Sequence, residues 1–433
     1  MSEDRDIHEV LKNHWGYSDF RPLQEDIIRS VLRGEDTLAL LPTGGGKSIC
    51  FQVPALARKG VCIVITPLIA LMKDQVDHLK TRGIKAEAVY SGMTAREIDI
   101  TLENAVQGEL KFLYCSPERL QTDMFRQRIE RMNVNLLAVD ESHCISQWGY
   151  DFRPPYLKIA EIRPFIEDAP VLALTATATP EVVKDIQEKL NFPKENVFQK
   201  SFERKNLIYV VQHEEDKLNR LMRIITRIRG TGIIYVRNRK KTREIAQWLK
   251  DKNITADFYH AGLDQKTRER RQKDWMQGVT RVIVSTNAFG MGIDKPNVRF
   301  VVHLDLPDNI EAYFQEAGRA GRDQNKAWAV LLYNNSDLID AERFFELAYP
   351  PLDVIKTIYN ALGNYFQIPV ESGMNTSHTF DIYDFSKTYR FNAVVVFNAL
   401  SFLEKEGYHT NEVYVNGLSK LCCVPIPVCF LTI

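Results

Sequence analysis

A chain of 433 residues is longer than one ordinary domain and suits two or three compact units, each able to bury a core. Its composition, 45% hydrophobic and 26% charged, is that of a folded globular protein and excludes a largely disordered or collagen-like chain. Lysine plus arginine and aspartate plus glutamate number 56 each, so the net charge is zero and any nucleic-acid surface must come from local clustering.

No apolar run approaches the roughly 18 residues that span a bilayer, and the polar start MSEDRDIHEV lacks the basic and apolar parts of a signal peptide. No membrane partner is expected. The seven cysteines are Cys50, Cys62, Cys115, Cys144, Cys422, Cys423 and Cys429. None forms C-x-x-C, and the first four lie in or beside expected core elements, which fits a reducing compartment.

In chain order, short β-branched runs predict strands at 37–41, 61–66, 86–90, 111–114, 136–139 and 171–174, with helices such as 180–190 between or after them. A second series follows, with strands at 232–236, 256–259, 281–285, 300–304 and 329–333 and helices around 243–250, 266–276 and 310–318. This alternation predicts an α/β fold with two parallel-sheet lobes, here bounded at 1–205 and 206–340. The short stretch 201–211 between them leaves the lobes facing each other across a cleft. From 341 to 433 the texture becomes helical, at 352–366 and 385–406, around a polar loop with Ser372, Gly373, Asn375 and Thr376. A helix-turn-helix is expected at 384–408, its second helix starting at Asn392, with no convincing wing behind it. The ending NGLSKLCCVPIPVCFLTI is apolar and foreign to the rest, and is expected to reflect truncation or an altered reading frame.

The sharpest local signal is Leu41-Pro42-Thr43-Gly44-Gly45-Gly46-Lys47-Ser48, which follows a strand and opens a helix as a phosphate-binding loop must. Glycines let backbone N–H groups converge on phosphate oxygens, and the helix N-terminus adds a positive dipole end. Lys47 is expected to neutralise the β- and γ-phosphates of a nucleotide, and Ser48 to hold Mg²⁺. Leu41 stands where a glycine or alanine is usual. A second carboxylate source is Leu136-Leu137-Ala138-Val139-Asp140-Glu141, an apolar strand with two acids at its carboxyl end. Asp140 is assigned to Mg²⁺ through water and Glu141 to the water that attacks the γ-phosphate. In the other lobe, Gln315-Glu316-Ala317-Gly318-Arg319-Ala320-Gly321-Arg322-Asp323 sets two arginines three apart at a helix end. Gln315, Arg319 and Arg322 join the catalytic set, a guanidinium reaching across the cleft to stabilise transition-state charge.

In this order, residues 8–335 resemble the RecQ family of superfamily 2 helicases. Trp15-Gly16-Tyr17-Ser18-Asp19-Phe20-Arg21-Pro22-Leu23-Gln24 is similar to that family's adenine-recognition motif. The resemblance implies that Tyr17 and Arg21 pack on the base while Gln24 reads its edge. An amide can bond adenine N6 and N7 together, and a ring and a planar cation both stack. The run from Asp140-Glu141-Ser142-His143-Cys144-Ile145-Ser146-Gln147-Trp148 to Gly149-Tyr150-Asp151-Phe152-Arg153-Pro154 resembles the family's acid motif and aromatic-rich loop, with Ser142 where alanine is usual. Trp148, Phe152 and Arg153 are candidates to meet unstacked bases, with stacking worth roughly 1–3 kcal/mol per base. Core packing is the alternative for the two aromatics. His143 and Gln147 are placed to report DNA occupancy to the acids.

Thr66-Pro67-Leu68-Ile69-Ala70-Leu71, Ser116-Pro117-Glu118-Arg119, Leu174-Thr175-Ala176-Thr177-Ala178, His260-Ala261-Gly262-Leu263 and the run from Ser285 to Lys295 also resemble family segments. The resemblance implies contacts to DNA phosphates, to nucleotide or between lobes. The basic runs 237–243 and 266–273 extend that track or are ordinary helix-surface charge.

The resemblance implies two RecA-like lobes and an ATP- and Mg²⁺-dependent 3′-to-5′ DNA helicase acting on single-stranded and forked DNA in repair or recombination. It implies a nucleoid-associated cytoplasmic place in a bacterium and a nuclear one in a eukaryote. The zinc platform common in the family is not expected, because Cys422, Cys423 and Cys429 lack spacing and a fourth partner. A DNA-stimulated ATPase unable to unwind is the alternative activity, and RNA is the alternative track.

Overall fold

The computed structural model describes residues 6–42, 44–147, 152–166, 168–176, 178–201, 203–290, 295–368, 377–406, 409–413 and 419–423. The chain divides into two compact units, Met1–Tyr333 and Asn334–Ile433. The division falls just ahead of the helix Asn335–Ala348, which a boundary at 340 would cut.

The first unit holds two sheets. Strands β1 (Thr37–Leu40), β2 (Val61–Ile65), β3 (Ala86–Val89), β4 (Phe112–Cys115), β5 (Val134–Val139), β6 (Val171–Thr175) and β7 (Val197–Gln199) form one. Strands β8 (Leu207–His213), β9 (Thr231–Tyr235), β10 (Ala256–Tyr259), β11 (Val282–Ser285), β12 (Val298–His303) and β13 (Ala327–Tyr333) form the other. The orders are β3-β4-β2-β5-β6-β1-β7 and β10-β11-β9-β12-β13-β8, with parallel pairing throughout. Without the edge strand β7, the two orders are the same: third, fourth, second, fifth, sixth, first.

The apolar runs fold this way because central parallel strands are covered on both faces. All residues of β1, β2, β4 and β6 are buried. Helices pack two cores on the first sheet, one around Leu38, Ile63, Leu137 and Ile186 and the other around Phe51, Phe112, Tyr114 and Leu172. The second sheet is likewise sandwiched, between Ile225, Leu249 and Phe300 on one side and Trp275, Phe289 and Val301 on the other. The stretch 201–211, expected to be only a connector, runs into β8, which pairs with β13. β8 is apolar from Leu207 to Val211, but as an edge strand it buries only Leu207 and then alternates between part-exposed and exposed positions.

The second unit corrects the expectation for the tail. After the helices Asn335–Ala348 and Leu352–Tyr365 come β14 (Ser377–Phe380), helices Ile382–Tyr389 and Ala393–Lys405, then β15 (His409–Val413) and β16 (Ser419–Cys423). The three strands form an antiparallel sheet in the order β14-β16-β15. The unit is thus a helix-turn-helix followed by a hairpin in the position of a wing. Its core gathers Ile358, Phe380, Phe385, Val396 and Leu400. Asn392 caps the second helix, its Oδ1 accepting from Val394 N at 2.9 Å. Residues 372–376 lie outside the described residues, as does most of the ending.

Candidate functional site

The phosphate loop sits where β1 ends. Leu41 N donates to Thr175 O at 3.1 Å, which seats the loop beside β6, and Gly45 N donates back to Pro42 O at 2.8 Å. Gly44 and Gly46 adopt φ of 79° and 80°, and the helix Lys47–Ala57 starts directly behind them. Only glycine takes that conformation cheaply, and it aims the helix N-terminus into the loop. Ser48 is half-buried at the helix start, and Thr43 lies outside the described residues.

Arg21 and Gln24 brace this loop. Arg21 Nη1 donates to Gly44 O at 2.6 Å, and Gln24 Nε2 donates to Gly46 O at 3.0 Å and Gly45 O at 3.3 Å. Gln24 Oε1 accepts from Arg21 N at 2.9 Å. The Gln24 amide is therefore engaged on both sides by its own chain. Tyr17, by contrast, is 54% exposed.

The two acids follow β5. Asp140 N donates to Ile65 O at 2.8 Å, and Glu141 turns into the left-handed region at φ 50°, a cost of roughly 1–3 kcal/mol for a residue with a side chain. That turn brings Glu141 Oε1 to 3.5 Å from Lys47 Nζ. Burial pushes the Asp140 carboxyl up to about 6, the adjacent Glu141 adding to the rise and Lys47 opposing it. Burial also opposes charge on Glu141, but Lys47, His143 and Arg319 outweigh it and hold that carboxyl below its ordinary value. Glu141 is thus kept as an anion and Asp140 is short of positive charge. A hard divalent cation fits that deficit: the Asp140 carboxylate and the Ser48 hydroxyl are oxygen donors of the kind Mg²⁺ takes together with phosphate and water. The buried Tyr156 hydroxyl donates to Asp140 O at 3.1 Å and fixes the acid from behind.

His143, only 1% exposed, links the acids to another segment. Its Nδ1 lies 2.9 Å from Thr175 Oγ1 and 3.4 Å from Glu141 Oε2. Thr175 belongs to the Leu174–Ala178 run, so a change there has a two-step path to Glu141. Gln147 is exposed and Phe152 half-buried. Arg153 Nη1 donates to Pro67 O at 3.2 Å, tying the aromatic-rich loop to the Thr66-Pro67-Leu68 run. Trp148 lies outside the described residues.

The second sheet contributes the arginines. The helix Ile310–Ala317, capped by Asn309, carries the half-buried Gln315 and leads into Arg319 and Arg322. Arg319 is 7% exposed; its guanidinium donates to Gly290 O and is among the cations holding Glu141 ionised. The Arg322 stem lies across the phosphate loop: Cγ is 3.1 Å from where a Cβ on Gly44 would stand. The structure therefore brings Lys47, Glu141, Arg319 and Arg322 together from two sheets. Beside them opens a cavity of about 340 Å³, lined by Arg21, Gly44, Gly45, Arg322 and the connecting segment including Lys200, Arg204 and Asn206.

Reading the residues alone missed Tyr156, Tyr235, Arg204 and Asn206. Tyr235 donates to Phe289 O at 2.7 Å and also bonds Arg319, so it braces one arginine. None carries a motif signal; each is found through the backbone carbonyl or side chain it reaches across the fold.

Two sheets with one nucleotide-type site between them define the class, and family models agree with it. Residues 21–186 match the DEAD/DEAH box helicase model and residues 216–324 the helicase conserved C-terminal domain model. Among solved structures, the fold resembles S. cerevisiae Dbp5 bound to RNA and ADP BeF3, with TM-score 0.60, 20% identity, and 78% of this chain and 90% of that one covered. It also resembles the DUF1998 helicase MrfA bound to DNA and AMPPNP, with TM-score 0.66, 17% identity, and 99% and 63% covered. These likenesses show the fold, two RecA-like lobes.

Sequence relatives narrow the class. The ATP-dependent DNA helicase RecQ of Haemophilus influenzae is 45% identical over 329 residues, 76% of this chain and 53% of that protein. The probable ATP-dependent DNA helicase RecS of Bacillus subtilis is 39% identical over 361 residues, 82% of this chain and 72% of that protein. The chain belongs to the RecQ family. It spans about half the length of the RecQ relatives from Haemophilus influenzae and Pasteurella multocida, 53% and 52%.

Proposed function

We infer that this chain is an ATP-dependent DNA helicase motor that translocates 3′ to 5′ on single-stranded DNA and separates duplex at forks, in repair or recombination. The observation that carries the reading is the convergence on one loop: Lys47 Nζ 3.5 Å from Glu141, and the Arg322 stem lying on Gly44 from the other sheet. ATP is the substrate, and Mg²⁺ held by Ser48 and Asp140 would neutralise phosphate charge when bound. Lys47 and the loop N–H groups bind the phosphates. Glu141, kept ionised, orients and deprotonates the attacking water. Arg319 and Arg322 meet charge developing on the γ-phosphate, so hydrolysis depends on the two lobes being closed.

Closure has to be felt by the DNA for movement to follow. The His143–Thr175 contact supports such a link, because it joins Glu141 to a segment whose family resemblance implies contact with phosphate or the other lobe. DNA affinity that alternates between the lobes then gives net translocation. The paired β15 and β16 favour strand separation by supplying a wing-like hairpin. Polarity and pathway rest on the family resemblance.

The test is ATP hydrolysis with and without single-stranded DNA, together with unwinding of duplexes bearing a 3′ or a 5′ tail. Stimulated hydrolysis with unwinding of the 3′-tailed duplex alone is expected. Stimulation without strand separation would leave a translocase, stimulation by RNA instead of DNA would change the track, and absence of hydrolysis would overturn the reading.

A further inference from the structure

The segment between the two sheets is hydrogen-bonded at one end to the strand that feeds the phosphate loop and at the other to the turn that carries the arginines. Gln199 pairs with Leu40, and Lys200 N donates to Leu40 O at 3.1 Å. Leu41 and the loop follow directly. Beyond Lys200, Arg204 Nη1 donates to Gly318 O at 2.8 Å, while its Nη2 donates to Ala320 O at 2.9 Å and to Gly321 O. Asn206 Nδ2 adds bonds to Gly321 O at 2.7 Å and Asn325 O at 2.9 Å.

The three carbonyls that Arg204 reaches belong to the C-cap of the helix Ile310–Ala317 and to the turn beyond it. They flank Arg319 on both sides and immediately precede Arg322. One guanidinium can collect all three because its N–H groups form a rigid fork, which an ammonium cannot reproduce. Gly321 sits at φ 64°, and a Cβ there would come 2.6 Å from Asn206 Nδ2, so the turn and the amide are fitted to each other. From Lys200 to Arg204 the backbone can reach at most about 14 Å. The arginine turn is therefore held at a short, limited distance from the strand that ends in the phosphate loop.

We propose that Arg204, with Asn206, is a positioning residue for the arginine-bearing turn 318–322, setting where Arg319 and Arg322 meet the γ-phosphate. The proposal rests on the reading of the chain as an ATP hydrolase. It differs from a direct contact between Arg204 and nucleotide, which the lining of the adjacent cavity also allows and which would act on binding rather than on turnover.

The experiment uses the full chain with saturating single-stranded DNA. It measures kcat and KM for ATP and affinity for a non-hydrolysable fluorescent ATP analogue in Arg204→Ala, Arg204→Lys and Asn206→Ala. Misplacing a reacting group by about 1 Å costs on the order of 10²-fold, so Arg204→Ala should lose about that in kcat, with KM and analogue affinity within about twofold. Arg204→Lys should recover only part of the loss. In an Arg322→Ala background, removing Arg204 should cost clearly less than it does in the wild type, because one of the two arginines it positions is already gone and only Arg319 is left to misplace.

Wild-type kcat in Arg204→Ala and Asn206→Ala would overturn the proposal. So would a raised KM at unchanged kcat, or a loss that persists in full in the Arg322→Ala background. Where Arg204→Ala does not fold, Arg204→Lys and Asn206→Ala decide by the same ratios. A wild-type chain that fails to hydrolyse ATP would overturn the parent reading and this one with it, whereas active wild type with equally active variants would overturn this one alone.

Discussion

The two sheets of the first unit share a strand order and differ in what stands at the ends of equivalent strands. Behind β1 comes the glycine loop with Lys47 and Ser48, whereas behind its counterpart β8 come Glu214, Glu215 and Asp216, which would repel a phosphate. Behind β5 stand Asp140 and Glu141, and behind its counterpart β12 stand Leu304 and Asp305. Only the second lobe ends a helix with the two arginines. One backbone plan thus carries two complementary halves, one with the glycine loop and paired acids and one with the two arginines, and the halves differ in residues at the strand ends rather than in the fold.

Breaking the first half should have the largest effect. Lys47→Ala should leave no measurable phosphate release with or without DNA, beyond the ~10²–10³ that losing one preorganised donor costs. Retained turnover would remove the phosphate-loop assignment. Breaking the second half should come next: Arg322→Ala should lower kcat on the order of 10³ while equilibrium binding of an ATP analogue is largely kept. A subtler change moves an arginine without deleting it. A methyl at Gly290 would stand 3.1 Å from Arg319 Nη2 and 2.8 Å from Asn287 O, so Gly290→Ala should cost about 10- to 10²-fold in kcat. Unchanged kcat would place Arg319 outside the chemistry.

The smallest effect concerns the link inside the first lobe. Thr175→Val removes one partner of His143 Nδ1, and one buried hydrogen bond is worth about 0.5–1.5 kcal/mol. The stimulation of hydrolysis by single-stranded DNA should fall about 2- to 10-fold. An unchanged stimulation ratio would mean that the signal reaches Glu141 by another route.

Much of this architecture is legible before any coordinates. The strands at 37–41, 61–66 and 136–139 announce themselves as continuous apolar runs because both faces of a central parallel strand are buried. The glycine loop and the paired acids announce themselves because phosphate chemistry leaves few alternatives for residue type and spacing. What escapes has a physical reason. β7 is only three residues long, and β8, apolar from Leu207 to Val211, is an edge strand with no buried position beyond Leu207, unlike the core strands. β15 and β16 are five residues each, β15 polar through His409, Asn411 and Glu412 and β16 running Ser419-Lys420-Leu421-Cys422-Cys423, so neither shows the alternation that marks a half-buried strand. The resemblance implies that Gln24 reads adenine; that its amide also meets the loop carbonyls of Gly45 and Gly46 depends on where those residues lie in space. Arg204 and Asn206 read as ordinary linker polarity because their partners lie more than a hundred residues away.

The central claim is that the two halves make one catalytic site, and a double-mutant cycle between Glu141→Gln and Arg322→Ala in DNA-stimulated ATP hydrolysis tests it most directly. The account predicts that the double variant is about as slow as the slower single one, as expected of groups that act on one transition state. Losses that multiply independently would contradict it.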